Sequence, residues 1–464
     1  MSSDTAGATA ADAAGTDGGA SERRRQQRGW YFYDWACSVY STSVVTVFLG
    51  PYLTEVTKSA ADAEGYVHPL GLDVRAGSFF PYCISVSVVL AVLVMPVAGS
   101  LADRTGRKKR LLGAAAYLGA GATTGMYFLA GERYLLGGLL LVVANASVAV
   151  SMALYNSFLP QISTPAERDA VSSRGWAFGY ASGALVLLAD LALFTAHDRF
   201  GVSEGTAVRI CLATAGLWWG AFTLVPLARL RDPRVVPHAD DAGPGEARSS
   251  VVQGWRQLAA TVRDMRHRPL TFAFLLAYLI YSDGVQTVIS QASVYGSEEL
   301  RLGQSTLITA VLLVQVLAVG GALALGWLAR RYGAKRTILG SLAAWTATLA
   351  AGYFLPAGAP VWFYVLAAAI GLVLGGTQAL SRSLFSHLVP AGKEAEYFAA
   401  YEMSDRGLAW VGPLLFGLTY QLSGSYRTAV LSLVAFFVLG SALLARVPVR
   451  RAVREAGNPV PDQI

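Results

Sequence analysis

The chain has 464 residues, of which 54% are hydrophobic and only 14% charged, against about 25% charged residues in a typical soluble domain. So few charges cannot clothe a water-soluble surface of this length, which excludes an ordinary soluble enzyme or binding module. The net charge of +7 does not point to nucleic acid, because most basic residues sit in short segments between apolar runs, and Cys37, Cys83 and Cys211 form neither a disulfide framework nor a CxxC metal pair.

Residues 1–28 are rich in Ala, Gly, Ser, Thr and Asp and end in Arg23, Arg24, Arg25 and Arg28. They read as a disordered cytoplasmic tail without the apolar centre of a secretory signal. Runs of about 20 mostly apolar residues, the length that crosses a bilayer, follow at 29–53, 78–101, 111–130, 134–158, 175–196, 207–228, 270–292, 304–328, 337–356, 361–385, 404–422 and 426–446. Between the sixth and seventh lies a polar, Arg-rich stretch, 229–268, containing Pro233, Pro237 and Pro244. It reads as a cytoplasmic linker with a short amphipathic helix near 251–265. A second cytoplasmic tail spans 447–464. The expected fold is an all-α membrane protein of twelve transmembrane helices in two six-helix bundles, 29–228 and 269–446.

Charge sets the expected orientation. With both termini inside, the inner segments hold 30 of the 37 Lys and Arg residues, as the positive-inside rule demands. The chain is therefore expected to be a multi-pass protein of the cell membrane with both termini cytoplasmic.

The two bundles repeat each other. Gly99-Ser-Leu-Ala-Asp103-Arg104-Thr-Gly106-Arg107-Lys108-Lys109 returns as Gly326-Trp-Leu-Ala-Arg330-Arg331-Tyr-Gly333-Ala-Lys335-Arg336. Ser172-Ser-Arg174-Gly175-Trp-Ala177 likewise returns as Ser404-Asp-Arg406-Gly407-Leu-Ala409. The copies keep their order and each half holds an even number of spans, so the halves are parallel repeats of the kind that rock about a central site.

Twelve spans, a 6+6 division and the basic hairpin resemble the major facilitator superfamily. Tyr33-Asp34-Trp35-Ala36, Tyr155-Asn156-Ser-Phe-Leu-Pro160, Gly175-Trp176-Ala-Phe-Gly179-Tyr180, Asp283-Gly284 and Gly375-Gly376-Thr-Gln378-Ala-Leu-Ser381-Arg382-Ser383 resemble its vacuole-effluxer-like branch, which includes a fungal vacuolar amino-acid effluxer linked to autophagy. The resemblance covers roughly residues 28–446. Cys37 and Ser282 depart from it, standing where Asn is expected. It implies an alternating-access carrier and amino-acid export as the candidate activity.

The resemblance also places Asp103 near the start of the eleventh span. An anion beside a helix N-terminus is worth about 0.3–1 kcal/mol, up to ~2 when partly buried. Arg104, Gly106, Arg107 and Arg406 would complete a gate there. In the second copy Arg330 replaces Asp103 and would face the start of the fifth span, where Glu167 and Asp169 can offset its charge. The two gates are thus expected to differ in chemistry. The bland reading of the same basic residues is topological.

Acids within spans are costly and so are functional candidates. Asp283 lies about 13 residues into the seventh span, ~20 Å deep at 1.5 Å per residue, and is the expected substrate or proton group, with Gln286 beside it. Its alternative is a structural hydrogen bond to a neighbouring helix. Asp34 lies near the inner end of the first span, where an ion pair with Arg174 or Arg382 and a coupling role are both open. Asn145, Asn156 and Gln378 offer donors and acceptors for an amino-acid zwitterion or bonds between helices. Gly175, Gly179 and Gly183 form a small-residue stripe for close helix packing. No Gly-x4-Gly-Lys-Ser/Thr run marks ATP drive, and no catalytic, cofactor or metal constellation stands out. The expected partners are the lipid bilayer, a small polar solute and protons, for a monomer. Open alternatives are a drug or sugar carrier of the same superfamily and a non-transporting membrane sensor.

Overall fold

A computed structural model describes residues 4–232, 263, 268–409, 411–423 and 425–461. Its α-helices of seven residues or more, in chain order, are α1 (Asp4–Val39), α2 (Leu49–Ser59), α3 (Ala76–Thr105), α4 (Lys108–Gly125), α5 (Tyr134–Asn156), α6 (Arg168–Thr195) and α7 (Glu204–Arg229). After the linker come α8 (Pro269–Val294), α9 (Gln304–Tyr332), α10 (Ala334–Tyr353), α11 (Pro360–His387), α12 (Glu394–Leu408), α13 (Val411–Ser423), α14 (Tyr426–Ser432), α15 (Val434–Arg446) and α16 (Val449–Glu455). A two-stranded antiparallel hairpin, β1 (Tyr66–Val67) and β2 (Val74–Arg75), connects α2 to α3.

Among the described residues, nine helical segments are long and apolar enough to cross a membrane. They match nine of the twelve predicted spans. The other three predictions fall on α4, α10 and the pair α12–α13. The first two open on Lys108-Lys109-Arg110 and Lys335-Arg336, so their apolar stretch is shorter, and the third is broken. The predicted helix near 251–265 lies outside the described residues. The tail expected to be disordered is helical from Asp4 onward, in keeping with the high helix propensity of its alanines.

Buried apolar side chains fall into two clusters, Trp30 to Leu230 and Phe274 to Val453. Ala395 and Ala399 of α12 join the first cluster and so tie the second half to it. Large apolar side chains such as Leu118, Leu185, Leu217, Val361 and Leu439 are exposed on the outside. Such a surface suits hydrocarbon rather than water.

The repeated hairpin has a local cause. Gly106 and Gly333 both adopt positive φ, +64° and +90°, a region that favours glycine. Each donates its N–H back four residues, Gly106 to the Ala102 carbonyl at 3.0 Å and Gly333 to Ala329 at 2.8 Å. The helix thus ends, and the chain reverses into the next helix among its positive charges. The first glycine of each copy serves the other half: a Cβ on Gly99 would lie 2.9 Å from the Ala395 carbonyl oxygen of α12, and one on Gly326 would collide with Ser173 Oγ of α6.

Two irregularities interrupt the rods. Between α1 and α2 the backbone is π-helical over Tyr40–Phe48, a departure that often accompanies function. Thr46 Oγ1 donates to the Ser41 carbonyl there at 2.8 Å. The rod formed by α12 and α13 breaks ahead of Gly412-Pro413, because proline lacks an N–H and its ring clashes with the carbonyl four residues back. The Asp283 carboxylate accepts the Gly412 N–H at 2.8 Å and caps the resumed helix.

Candidate functional site between the two halves

A cavity of about 440 Å³ lies between the halves, lined by residues of α1, α5 and α6 on one side and α8, α9, α11 and α12 on the other. Its polar lining includes Asp34, Thr42, Asn156, Gln286, Gln291, Gln315, Gln378, Arg382 and Glu402, beside the rings of Trp176, Tyr180, Tyr278 and Tyr401. Helical spacing explains the pattern along α1 and the π-helical turn that follows it: Asp34, Cys37, Ser38, Ser41 and Thr42 recur at three- and four-residue intervals and present one face.

Arg382 joins the halves at the end of the cavity nearest the two basic hairpins. From α11 its Nε donates to Ser172 Oγ of α6 and its Nη2 to the Ser172 carbonyl, both at 2.9 Å. Nη1 donates to Asn156 Oδ1 of α5 at 3.2 Å. Nη1 and Nη2 also approach a single oxygen of Asp34, at 3.4 and 3.5 Å. The guanidinium carbon lies 4.8 Å from the Trp30 ring centre and 5.4 Å from that of Trp176, within cation–π range. Tyr155 donates its hydroxyl to the same Asp34 oxygen at 2.6 Å, and Asn156 Nδ2 donates to Glu402 Oε1 of α12 at 2.9 Å.

The hairpin end carries further bonds between the halves. Asp103 accepts the backbone N–H of Glu396 at 3.1 Å in the first turn of α12. Its other oxygen meets Lys108 Nζ at 2.8 Å, and Lys108 reaches Glu394 at 3.2 Å. Arg168 donates to the Ser386 carbonyl at 3.0 Å, Ser172 to the Ala379 carbonyl at 2.7 Å, and Ser383 to Asp169 at 2.6 Å. Nearer mid-span, Gln315 donates to Thr42 at 3.0 Å.

The residues singled out from sequence separate into groups. Asp34, Asn156, Gln286 and Gln378 line the cavity. Asp283 is not among the lining residues, because its carboxylate is turned to the break at Gly412. Asn145 donates to Ser87 Oγ at 2.7 Å and so ties α5 to α3 rather than facing the cavity. Asp103 sits at the start of a helix of the opposite half, as expected, but its cationic partner is Lys108, a member of the hairpin motif. Arg107 is exposed at the start of α4, and Gly106 makes the turn. The side chains of Arg104 and Arg406 lie outside the described part.

Arg330 is exposed, and Glu167 does not serve it. Glu167 instead accepts the Thr164 N–H at 3.1 Å and meets Arg23 at 3.5 Å. Those Thr164 bonds, with Arg23 and Gln27 nearby, outweigh partial burial and hold its carboxyl below the usual range. The glycine stripe packs on α1 and the π-helical segment after it: Cβ atoms on Gly175, Gly179 and Gly183 would meet Asp34, Ser38 and Thr42 side-chain oxygens at 2.6, 2.5 and 2.7 Å.

Glu402, Glu394 and Lys108 did not stand out from sequence as site residues. Placing the eleventh span at 404–422 left both glutamates in a loop, whereas α12 starts at Glu394. An acid within Ala399-Ala-Tyr-Glu402-Met was the available signal.

Comparison with known proteins agrees with this architecture. The family model described as "Vacuole effluxer Atg22 like" matches residues 22–457. The uncharacterized MFS-type transporter YxiO of Bacillus subtilis (strain 168) is 30% identical, over 91% of this chain and 95% of its own length. Autophagy-related protein 22 of Coccidioides immitis (strain RS) is 26% identical, over 93% and 88%. Among solved structures, the major facilitator proton:xylose symporter XylE bound to 6-bromo-6-deoxy-D-glucose superposes with a TM-score of 0.68 at 13% identity, over 92% of this chain and 96% of that one. A family match over nearly the whole chain and a fold of two packed helical halves lead to one conclusion: the chain belongs to the Atg22-like vacuole effluxer family of the major facilitator superfamily.

Proposed function

We propose that this multi-pass membrane transporter is an alternating-access exporter of an amino acid or a similar small polar metabolite, driven by the proton gradient. The observation that carries the reading is the cavity shared by both halves, with an arginine and two carboxylates at one end. A zwitterion needs donors for its carboxylate and acceptors for its ammonium. Arg382, Asn156 and the cavity glutamines offer donors, while Asp34 and Glu402 offer acceptors.

On this reading α4, α10 and α12–α13 complete twelve spans, both termini are cytoplasmic, and the protein works as a monomer in the cell membrane. The conformation is then the one closed to the cytoplasm, since the bonds between the halves gather at the basic hairpins. A ligand shifts such an equilibrium only by its differential affinity for the two states, so solute and proton together must outweigh these bonds for the end to open. Asp34 and Glu402, rather than Asp283, are the carboxylates placed to exchange a proton with the cavity.

The test is efflux and uptake of labelled amino acids in proteoliposomes, with and without an imposed pH gradient. Movement that the gradient accelerates supports the reading. Amino acids that cross no faster than in empty vesicles, at any gradient, would sink it.

A further inference from the structure

Resting on that reading and deepening it, we propose that Arg382 is the receptor for the solute's carboxylate, and that Asp34 is a built-in carboxylate which the solute displaces. Asp34 then occupies the site when it is empty and closes the cytoplasmic end with the same interaction that the solute replaces.

The geometry around Arg382 separates fixed partners from an exchangeable one. Ser172 takes two bonds at 2.9 Å and belongs to the neighbouring helix α6. The Trp30 and Trp176 rings hold the guanidinium plane. Asp34 is held differently. Two guanidinium nitrogens converge on one of its oxygens at 3.4 and 3.5 Å, whereas an arginine–carboxylate fork forms two parallel bonds of about 2.7–2.9 Å. Tyr155 restrains Asp34, with its hydroxyl 2.6 Å from that oxygen. Asp34 therefore neutralises the buried cation without forming the fork.

Arg382 lines the cavity, and a free carboxylate entering from that side has no backbone tether to stop it forming two short bonds. Asp34, once released, keeps its Tyr155 bond and becomes an acceptor for a proton, leaving the solute's ammonium to Glu402. Glu402, bonded to Asn156 across the halves, is the second acceptor.

The release also removes one of the bonds between the halves, while those from Arg382 to Ser172 and Asn156 remain. Arg382 lies on α11 of the second half, and Asp34 and Tyr155 lie on α1 and α5 of the first. Binding thereby weakens the closed state, which is a source of the differential affinity an alternating carrier needs. The solute class this selects is a carboxylate with a nearby cationic group. A neutral sugar or an amine without a carboxylate has nothing to offer Arg382 in exchange for Asp34.

The experiment measures thermal stabilisation and counterflow with the full chain, using each common L-amino acid beside its own carboxamide. In the wild type at least one amino acid is expected to stabilise the protein and to be carried. Its amide should bind at least 100-fold more weakly. Arg382→Lys, which keeps the charge and loses the fork, should weaken that acid at least tenfold, and Arg382→Gln by 100-fold or more. Asp34→Asn should tighten it by tenfold or more, because the internal competitor is removed. That gain cannot arise from misfolding. Amides bound as tightly as acids, or Asp34→Asn weakening the acid, overturns the carboxylate exchange and leaves the carrier intact. A wild type that moves neither acids nor amides overturns the carrier reading as well.

Discussion

Removing the charge of Asp103 should open the end of the molecule that carries the basic hairpins. Asp103 contributes one bond between the halves, accepting the Glu396 N–H in the first turn of α12 at 3.1 Å, and holds Lys108 of its own half at 2.8 Å beside Glu394. Hydrogen bonds to charged groups are worth about 1.5–3 kcal/mol each, and an anion at a helix N-terminus adds about 0.3–1 kcal/mol. In Asp103→Asn the amide still fills the space, and Lys108 keeps Glu394 at 3.2 Å, so only part of this is lost. A net loss of about 2–3 kcal/mol shifts the ratio of closed to open forms by ~30- to ~140-fold, at 1.4 kcal/mol per factor of ten. Spin labels replacing Arg107 and Ala391, on opposite halves at this end, would report it as a longer distance population. Lys108→Met should shift the same distribution, and the double variant should shift it by less than the two single effects combined, because the residues share one interaction. A distribution identical to wild type in Asp103→Asn would refute the latch.

Three further outcomes are expected. Gly175→Ala sets a methyl 2.6 Å from Asp34 Oδ2 and 3.1 Å from Arg382 Nη2, so it should push Asp34 off Tyr155 and reduce transport far more than it lowers thermal stability. Gly333→Ala forces a side chain into φ +90°, ψ +147°, nearly glycine-only backbone that costs about 1–3 kcal/mol. A lower melting temperature checks it, and an unchanged one would contradict the turn assignment. On the opposite end, His68 lies between Asp73 at 2.9 Å and Asp62 at 3.0 Å, and these bonds raise its pKa above the usual imidazole value. Its contribution to ordering the β1–β2 hairpin is therefore complete below the ordinary histidine pKa and fades as pH rises through the raised one. Faster amide exchange at Tyr66 above that pH, absent in His68→Asn, is the expected reading.

Hydrophobic runs and basic hairpins made the architecture legible, because lipid imposes a length on each helix and charge marks one side. The duplicated Gly99 and Gly326 hairpins identified the halves and the residues that bring them together. Asp283 misled for a physical reason: depth in a span flags an acid as costly, but a backbone break on another helix satisfies it equally well, and Gly412-Pro413 lies far along the chain. Asn145 is similar, since facing a neighbouring serine or a cavity depends on helix rotation that apolar periodicity fixes poorly in an all-apolar segment. Arg382 was visible as a possible partner of Asp34, but its fixed bonds to Ser172 and its contacts with the Trp30 and Trp176 rings arise only when three helices converge. Glu402 was hidden by a span boundary set ten residues after the helix begins.

The central claim is that the two halves must part at the basic hairpins for solute to pass. A cysteine pair replacing Asp103 and Glu396, in a background lacking Cys37, Cys83 and Cys211, tests it by cross-linking α3 to α12. Oxidation should arrest amino-acid counterflow in proteoliposomes, and reduction should restore it. Full-rate counterflow by quantitatively cross-linked protein would contradict the account.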